Sequence, residues 1–134
     1  MNTDTLNAAL SDYFAPWVQA LGLHVESFDA GSVTLRLPHS DQLSRVGGML
    51  CGQAMMAAAD TAMVLALIHH FGEFRPCTTV QFSSSFLKPL SSQDALVEAR
   101  VIRAGKSLAF GEIDIRGADD GKSVSRATTT YALL

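Results

Sequence analysis

The chain has 134 residues, a length typical of one folded domain. Its net charge of −3 argues against a nucleic-acid-binding protein, because such proteins usually carry a basic surface. Hydrophobic residues form 48% of the sequence, and the mean hydropathy of +0.20 is slightly high for a small soluble protein. We therefore predict one domain over residues 1–134 that covers part of its apolar surface by forming a homodimer or homotetramer.

The sequence predicts neither a disulfide framework nor a metal site. Its two cysteines, Cys51 and Cys77, belong to no cluster with zinc-binding spacing. Residues 1–14 lack the basic start and apolar run of a signal peptide. Residues 49–68 are long enough for a membrane span, but small residues dilute the segment and Asp60 lies within it. We expect a cytoplasmic protein that binds no metal and no membrane.

The first half of the chain reads as a helix, two strands and a long second helix. Apolar residues at steps of three and four predict a helix over 6–21 that Pro16 ends or kinks. Two strands follow, at 23–28 and 32–37, and then a polar, glycine-containing loop to residue 48. The segment 52–70 predicts a helix that is apolar nearly all round and therefore enclosed, with Gly72 closing it.

The second half reads as a run of strands, at 77–88, 95–103, 107–116 and 123–133. The connections between them are short, which favours antiparallel neighbours because parallel strands need a long crossover. We expect an α+β domain in which an antiparallel sheet wraps around one long central helix, with a further helix at the N-terminus.

Asp60 is the strongest candidate for a functional residue in the sequence. It is the only charged residue between positions 50 and 68, in a helix predicted to be mostly shielded from water. An unpaired buried carboxylate costs several kcal/mol, so such acids are frequent at active sites. The alternatives are that Asp60 lies on a solvated stripe of the helix or pairs with a distant Arg.

Gly52 begins the same helix, where free backbone N–H groups attract negative charge. A thioester carbonyl that becomes an oxyanion would suit this position. Gly52 and Asp60 are eight residues apart, about 12 Å along the axis, so one chain cannot readily use both in one site. A two-fold dimer that brings Asp60 of one subunit to Gly52 of the other would place both residues in one site.

Three basic residues lie near predicted strand ends: Lys88, Arg103 and Lys106. They suit the phosphates of a ligand with a nucleotide-like part, although solvated charges at turns are common.

Three segments together resemble the hotdog-fold acyl-CoA thioesterases of the phenylacetyl-CoA type. The first runs from Arg45 to Asp60 and reads RVGGMLCGQAMMAAAD; the second is TVQFSSSFLKP at 79–89; the third is AGKSLAF at 104–110. The resemblance covers residues 31–134 and implies a hotdog fold. It implies hydrolysis of a small or medium acyl-CoA, aromatic or aliphatic, with coenzyme A as part of the substrate and no cofactor.

The resemblance also implies roles for single residues. Asp60 would be the general base or the nucleophile, Gly52 would donate its N–H to the thioester oxygen, and Thr79 would hold the attacking water. Lys88, Arg103 and Lys106 would lie near the phosphates of coenzyme A. Three further positions would contact substrate but depart from the family pattern: Arg45, Cys51 and Gln53 replace its usual Asn, His and second Gly.

These departures leave other functions open. Without the usual His, the chain could be a non-catalytic acyl-CoA-binding protein with the same fold. Cys51 could act as a nucleophile, although its setting is apolar and no His base is evident. A hydratase would carry an Asp and His pair on a different motif, and the sequence shows none.

Overall fold

A computed structural model describes residues 1–134 as three helices and six strands. The helices are α1 (Thr3–Asp12), α2 (Pro16–Gln19) and α3 (Gly52–Phe71), and a 3-10 turn spans Asp41–Leu43. The strands are β1 (His24–Phe28), β2 (Ser32–Leu37), β3 (Cys77–Phe86), β4 (Ala95–Ala104), β5 (Leu108–Gly117) and β6 (Ser123–Leu133).

The segment 6–21, predicted as a helix that Pro16 ends or kinks, forms two helices. Asn2 caps α1 by accepting the Thr5 N–H at 2.8 Å, and α1 ends at Asp12. Pro16 has no N–H and forces Ala15 into an extended conformation, with φ −58° and ψ 149°. Pro16 therefore starts a separate helix, α2, instead of kinking a continuous one.

All six strands form one antiparallel sheet, in the order β1-β2-β4-β5-β6-β3. The sheet curves around α3, whose residues are buried on most sides. A side chain at Gly111 of β5 would clash with the Met63 sulfur, so the glycine permits the close approach of helix and sheet. The predicted hotdog architecture, with its central and N-terminal helices, is confirmed.

Helix α3 is the core of the domain. It is long and apolar enough to cross a membrane by length and composition, but most of it is buried under the sheet. It begins at Gly52 and ends where Gly72 takes the left-handed conformation (φ 78°) and donates its N–H to the Ile68 carbonyl. This is the core helix of a soluble domain.

The two edges of the sheet differ in how they are protected. At β1, the Asn7 side chain of α1 accepts the Val25 N–H at 2.8 Å. At the other edge, β3 has ten residues without a charge or a proline, and Val80 and Phe86 are 55% and 49% exposed. A long, uncharged, exposed edge strand is a template for pairing with another strand.

Candidate active site

Asp60 is held by two hydroxyl groups that reach it from neighbouring strands. Its carboxylate projects from α3 and is half-buried. The Thr79 hydroxyl of β3 donates to Asp60 Oδ1 at 2.9 Å, and the Tyr131 hydroxyl of β6 donates to the same oxygen. Asp60 makes no ion pair with any Arg or Lys. Hydroxyl donors, and not a distant Arg, therefore hold the charge.

The surroundings of Asp60 keep Tyr131 in its donor form. Burial, followed by the charge of Asp60, raises the pKa of Tyr131 well above its usual range. The phenol thus stays protonated at physiological pH. The same two causes, in the same order, raise the pKa of the Cys77 thiol, so it is a poor nucleophile there. We call Asp60, Thr79 and Tyr131 the acid half-site.

The start of α3 forms a second polar position. Cys51 is the N-cap residue, but its side chain makes no capping hydrogen bond. The first helical N–H groups, from Gly52 onward, have no partner within the helix and point outward with the positive end of its dipole. A side-chain atom added to Gly52 would lie 3.4 Å from the ring of Phe86, so this ring packs over the helix start.

A cleft of about 320 Å³ opens beside this helix start. It brings together three of the predicted residues, Arg45, Gly52 and Lys88, with apolar walls from Met49 and Phe86. We call Arg45, Gly52, Phe86 and Lys88 the glycine half-site. Cys51 is half-buried beside it, and Gln53 is exposed on the first turn of α3. The cleft combines cationic, apolar and N–H donor groups, as expected where an anionic ligand with an apolar part binds.

The two half-sites lie apart in one chain. Gly52 and Asp60 are separated by about 12 Å of helix. On β3 the acid half-site uses Thr79, opposite Tyr131, whereas the glycine half-site uses Phe86, opposite Ser125 at the far end of the same strand pair. One chain alone therefore does not assemble the predicted site.

The predicted basic residues divide in the same way. Lys88 follows the Phe86 end of β3, within the glycine half-site. Arg103 and Lys106 flank the β4–β5 turn, at the end of the sheet where Leu108 and Thr78 both pair with Ala132. This is the end nearer Asp60, so Lys88 does not share a phosphate site with Arg103 and Lys106 within one chain.

None of these basic groups is neutralised by an ion pair. The salt bridges of the domain use other cations, namely Arg36, Arg100, Arg116 and Arg126. The Arg45 guanidinium donates only to the Val46 carbonyl and the Met49 sulfur. Lys88 is near enough to Asp120 to affect the pKa of that acid without pairing with it. Arg45, Lys88, Arg103 and Lys106 thus keep charge available for an anion.

Tyr131 is the residue of these half-sites to which the sequence analysis assigned no role. Tyr131 stands on β6 in an alternating run with Ala127 and Thr129, all of which are buried. That alternation predicts a buried side chain at Tyr131. The contact of its hydroxyl with Asp60, however, depends on the strand register that places Tyr131 opposite Thr79. Local patterns do not contain this register.

Comparison with known proteins agrees with this fold. The profile of the Thioesterase superfamily matches residues 47–124, a range that includes Gly52, Asp60 and Thr79 but neither Arg45 nor Tyr131. The chain belongs to this superfamily.

Individual relatives cover most of the chain. A protein of Sulfurisphaera tokodaii, provisionally named an esterase, is 30% identical over 111 residues, which are 83% of this chain and 81% of that protein. A structure from Silicibacter sp. TM1040, provisionally named a thioesterase, is 29% identical with a TM-score of 0.89, covering all of this chain and 92% of that one. A mutant of thioesterase PA1618 from Pseudomonas aeruginosa shares the fold at 24% identity, with a TM-score of 0.87 over 100% and 94% of the two chains. Together these relatives indicate a hydrolase of the thioesterase type.

Proposed function

We propose that this protein is an acyl-CoA thioesterase that hydrolyses a small or medium acyl-CoA, aromatic or aliphatic, to a carboxylic acid and coenzyme A in the cytoplasm. The observation that carries the proposal is the carboxylate of Asp60, fixed by Thr79 beside an open edge strand. At the other end of that strand lies an uncapped helix start in a cationic, apolar cleft. A carboxylate that acts as base or nucleophile and a donor for the oxyanion are the two groups that this hydrolysis would use.

A two-fold dimer that pairs β3 with its copy would complete the site. In any antiparallel pairing of two identical strands, the first end of one lies beside the last end of the other. The glycine half-site of one subunit would then face the acid half-site of its partner. Two such sites would form, one on each side of the axis.

The same pairing would bring the separated basic groups together. Lys88 and Arg45 accompany the glycine half-site, and Arg103 and Lys106 lie toward the acid end of the sheet. Across the dimer, these cations would converge on the mouth of one shared site. Their charges, free of ion pairs, suit the phosphates of coenzyme A.

The chemistry follows from the two half-sites. The Gly52 N–H would stabilise the negative charge that develops on the thioester oxygen. Asp60 would remove a proton from the attacking water, or attack the carbonyl itself to form an anhydride that water then hydrolyses. In the structure the Thr79 hydroxyl bonds directly to Asp60, so holding the carboxylate is its first role.

The direct test is a screen of the purified protein against a panel of acyl-CoAs, read with a thiol-detecting reagent. The panel includes phenylacetyl-CoA, short and medium aliphatic acyl-CoAs and a non-hydrolysable analogue. We expect release of coenzyme A from at least one member. Release from none, together with tight binding of the analogue, would support a second function, a non-catalytic acyl-CoA-binding protein. The observation that favours this second function is Cys51 at the family's usual His position.

The shared site predicts that the folded protein is at least a dimer. The exposed β3 edge, with Val80 and Phe86, would be covered in that dimer. Sedimentation velocity at micromolar concentration is expected to give a dimer or tetramer. A stable, folded monomer with full turnover would contradict the shared site.

Replacing Cys51 by Ala or Ser is expected to keep most of the activity. The Gly52 N–H belongs to the backbone and remains, and the Cys51 thiol caps no helix N–H. The turnover of the variants, and the loss of activity on treatment with iodoacetamide, test whether the Cys51 thiol takes part in the reaction. If Cys51 is instead a nucleophile, Cys51→Ala abolishes turnover while the protein still folds and binds substrate. Cys51→His, which restores the usual family residue, is expected to raise turnover modestly.

A further inference from the structure

The carboxylate of Asp60 is bound unequally at its two oxygens. Oδ1 accepts hydrogen bonds from the hydroxyls of both Thr79 and Tyr131. A carboxylate oxygen has two lone-pair positions, so these donors occupy Oδ1 fully. No protein group bonds to Oδ2, and Oδ2 is not among the buried unpaired atoms, so it reaches solvent.

Tyr131 is built into the core in a way that fixes the position of its hydroxyl. It is 1% exposed, and its ring packs within the hydrophobic core under α3. Its hydroxyl lies 3.0 Å from the carbonyl oxygen of Asp60 as well as against Oδ1. The side chain thus contacts both the backbone and the carboxylate of one residue, and so sets the rotamer of Asp60.

We propose that Tyr131 is a positioning residue of the thioesterase site, which together with Thr79 locks Oδ1 of Asp60 and leaves Oδ2 as the oxygen that reacts. The inference rests on the proposed function and assigns a role to each carboxylate oxygen. If Asp60 is a base, Oδ2 accepts a proton from water while the water oxygen bonds to the carbonyl carbon. When the C–S bond breaks, that proton passes from Oδ2 to the departing thiolate. If Asp60 is a nucleophile, Oδ2 forms the bond to carbon while the C–S bond breaks and the thiolate leaves. Water then cleaves the resulting anhydride, which frees the Asp60 carboxylate and the carboxylic acid product, and a proton of that water passes to the thiolate.

Two features make Tyr131 suited to this role. Its burial and the neighbouring charge keep it protonated, so it donates to Asp60 across the physiological pH range. Hydrogen bonds to a charged group are stronger than those between neutral groups. Cys77 is the other titratable group near this carboxylate, and its raised pKa keeps it neutral as well.

The test compares Tyr131→Phe with Tyr13→Phe, a change of the same type at the exposed Tyr13, which stacks on Phe74 and makes no hydrogen bond to Asp60. Tyr131→Phe keeps the ring that fills the core and removes only the hydroxyl. We expect kcat to fall about tenfold or more, with little change in KM, because a charge-assisted hydrogen bond is lost. Tyr13→Phe is expected to leave both values unchanged.

The division of the loss between kcat and KM separates positioning from a structural role. In Tyr131→Phe the loss is expected in kcat alone, because the hydroxyl orients Asp60 and does not bind substrate. Thr79→Val should act in the same way, and Thr78→Val, on the opposite face of β3, should leave both values unchanged. Lowered thermal stability of Tyr131→Phe, with an unchanged kcat, would overturn the inference.

The outcomes also separate this inference from the proposed function. If Asp60→Asn is inactive while Tyr131→Phe behaves as wild type, only the role of Tyr131 is wrong. If Asp60→Asn retains full turnover, the proposed mechanism fails, whatever the tyrosine variants do.

Discussion

Asp60→Asn is expected to lower thioester turnover by at least about 100-fold, the low end for loss of a general base. The amide has nearly the shape of the carboxylate and retains an oxygen that can accept from Thr79 and Tyr131. Packing and dimerisation should therefore survive, and the loss should appear in kcat. Steady-state kinetics with the best acyl-CoA of the panel, together with a thermal unfolding curve, measure both effects.

The matched control is Asp12→Asn. Asp12 is the last residue of α1, is exposed, and its side chain makes no hydrogen bond or ion pair. This variant should have wild-type kinetics. A wild-type rate in Asp60→Asn would show that another group performs the chemistry.

Gly52→Pro is expected to lower kcat about 100- to 1000-fold, the usual cost of removing one oxyanion donor. Proline at the first helical position removes the N–H at a place where the helix does not use it. The preceding residue, Cys51, already has the extended conformation that proline requires, with φ −74° and ψ 150°. The helix should therefore form normally, and only the donor is lost.

Gly52→Ala is the control for this change. It keeps the N–H and adds a side-chain atom about 3.4 Å from the Phe86 ring, which is an ordinary contact. We expect Gly52→Ala to lose far less activity than Gly52→Pro. Equal losses in the two variants would indicate crowding at Phe86 and not a missing oxyanion donor.

The strands and the central helix were predictable because their signals are local. Alternation and short turns placed the fifth strand at 107–116, within one residue of Leu108–Gly117 at each end. The continuous apolar run from Gly52 marked α3. The N-terminal helix was predicted with the wrong bounds, because Pro16 separates two helices and the Asn2 cap that starts the first was not recognised.

The active site was predictable only in part. The roles of Gly52 and Thr79 came from the resemblance to a family, and the structure then placed the Thr79 hydroxyl on Asp60. The contact with Tyr131 depends on the pairing of β3 with β6, two strands far apart in sequence. The separation of Lys88 from Arg103 and Lys106 depends on the direction of those strands, which no local pattern reveals.

The most direct test of a site shared between subunits combines the two inactive variants in one dimer. Asp60→Asn and Gly52→Pro carry different affinity tags, are co-expressed, and the mixed dimers are isolated by tandem purification. We predict about half the wild-type activity, because each mixed dimer would hold one intact Asp60 opposite one intact Gly52 and so one complete site of two. If the mixed dimer is no more active than its two parents, Asp60 and Gly52 do not act together across the interface.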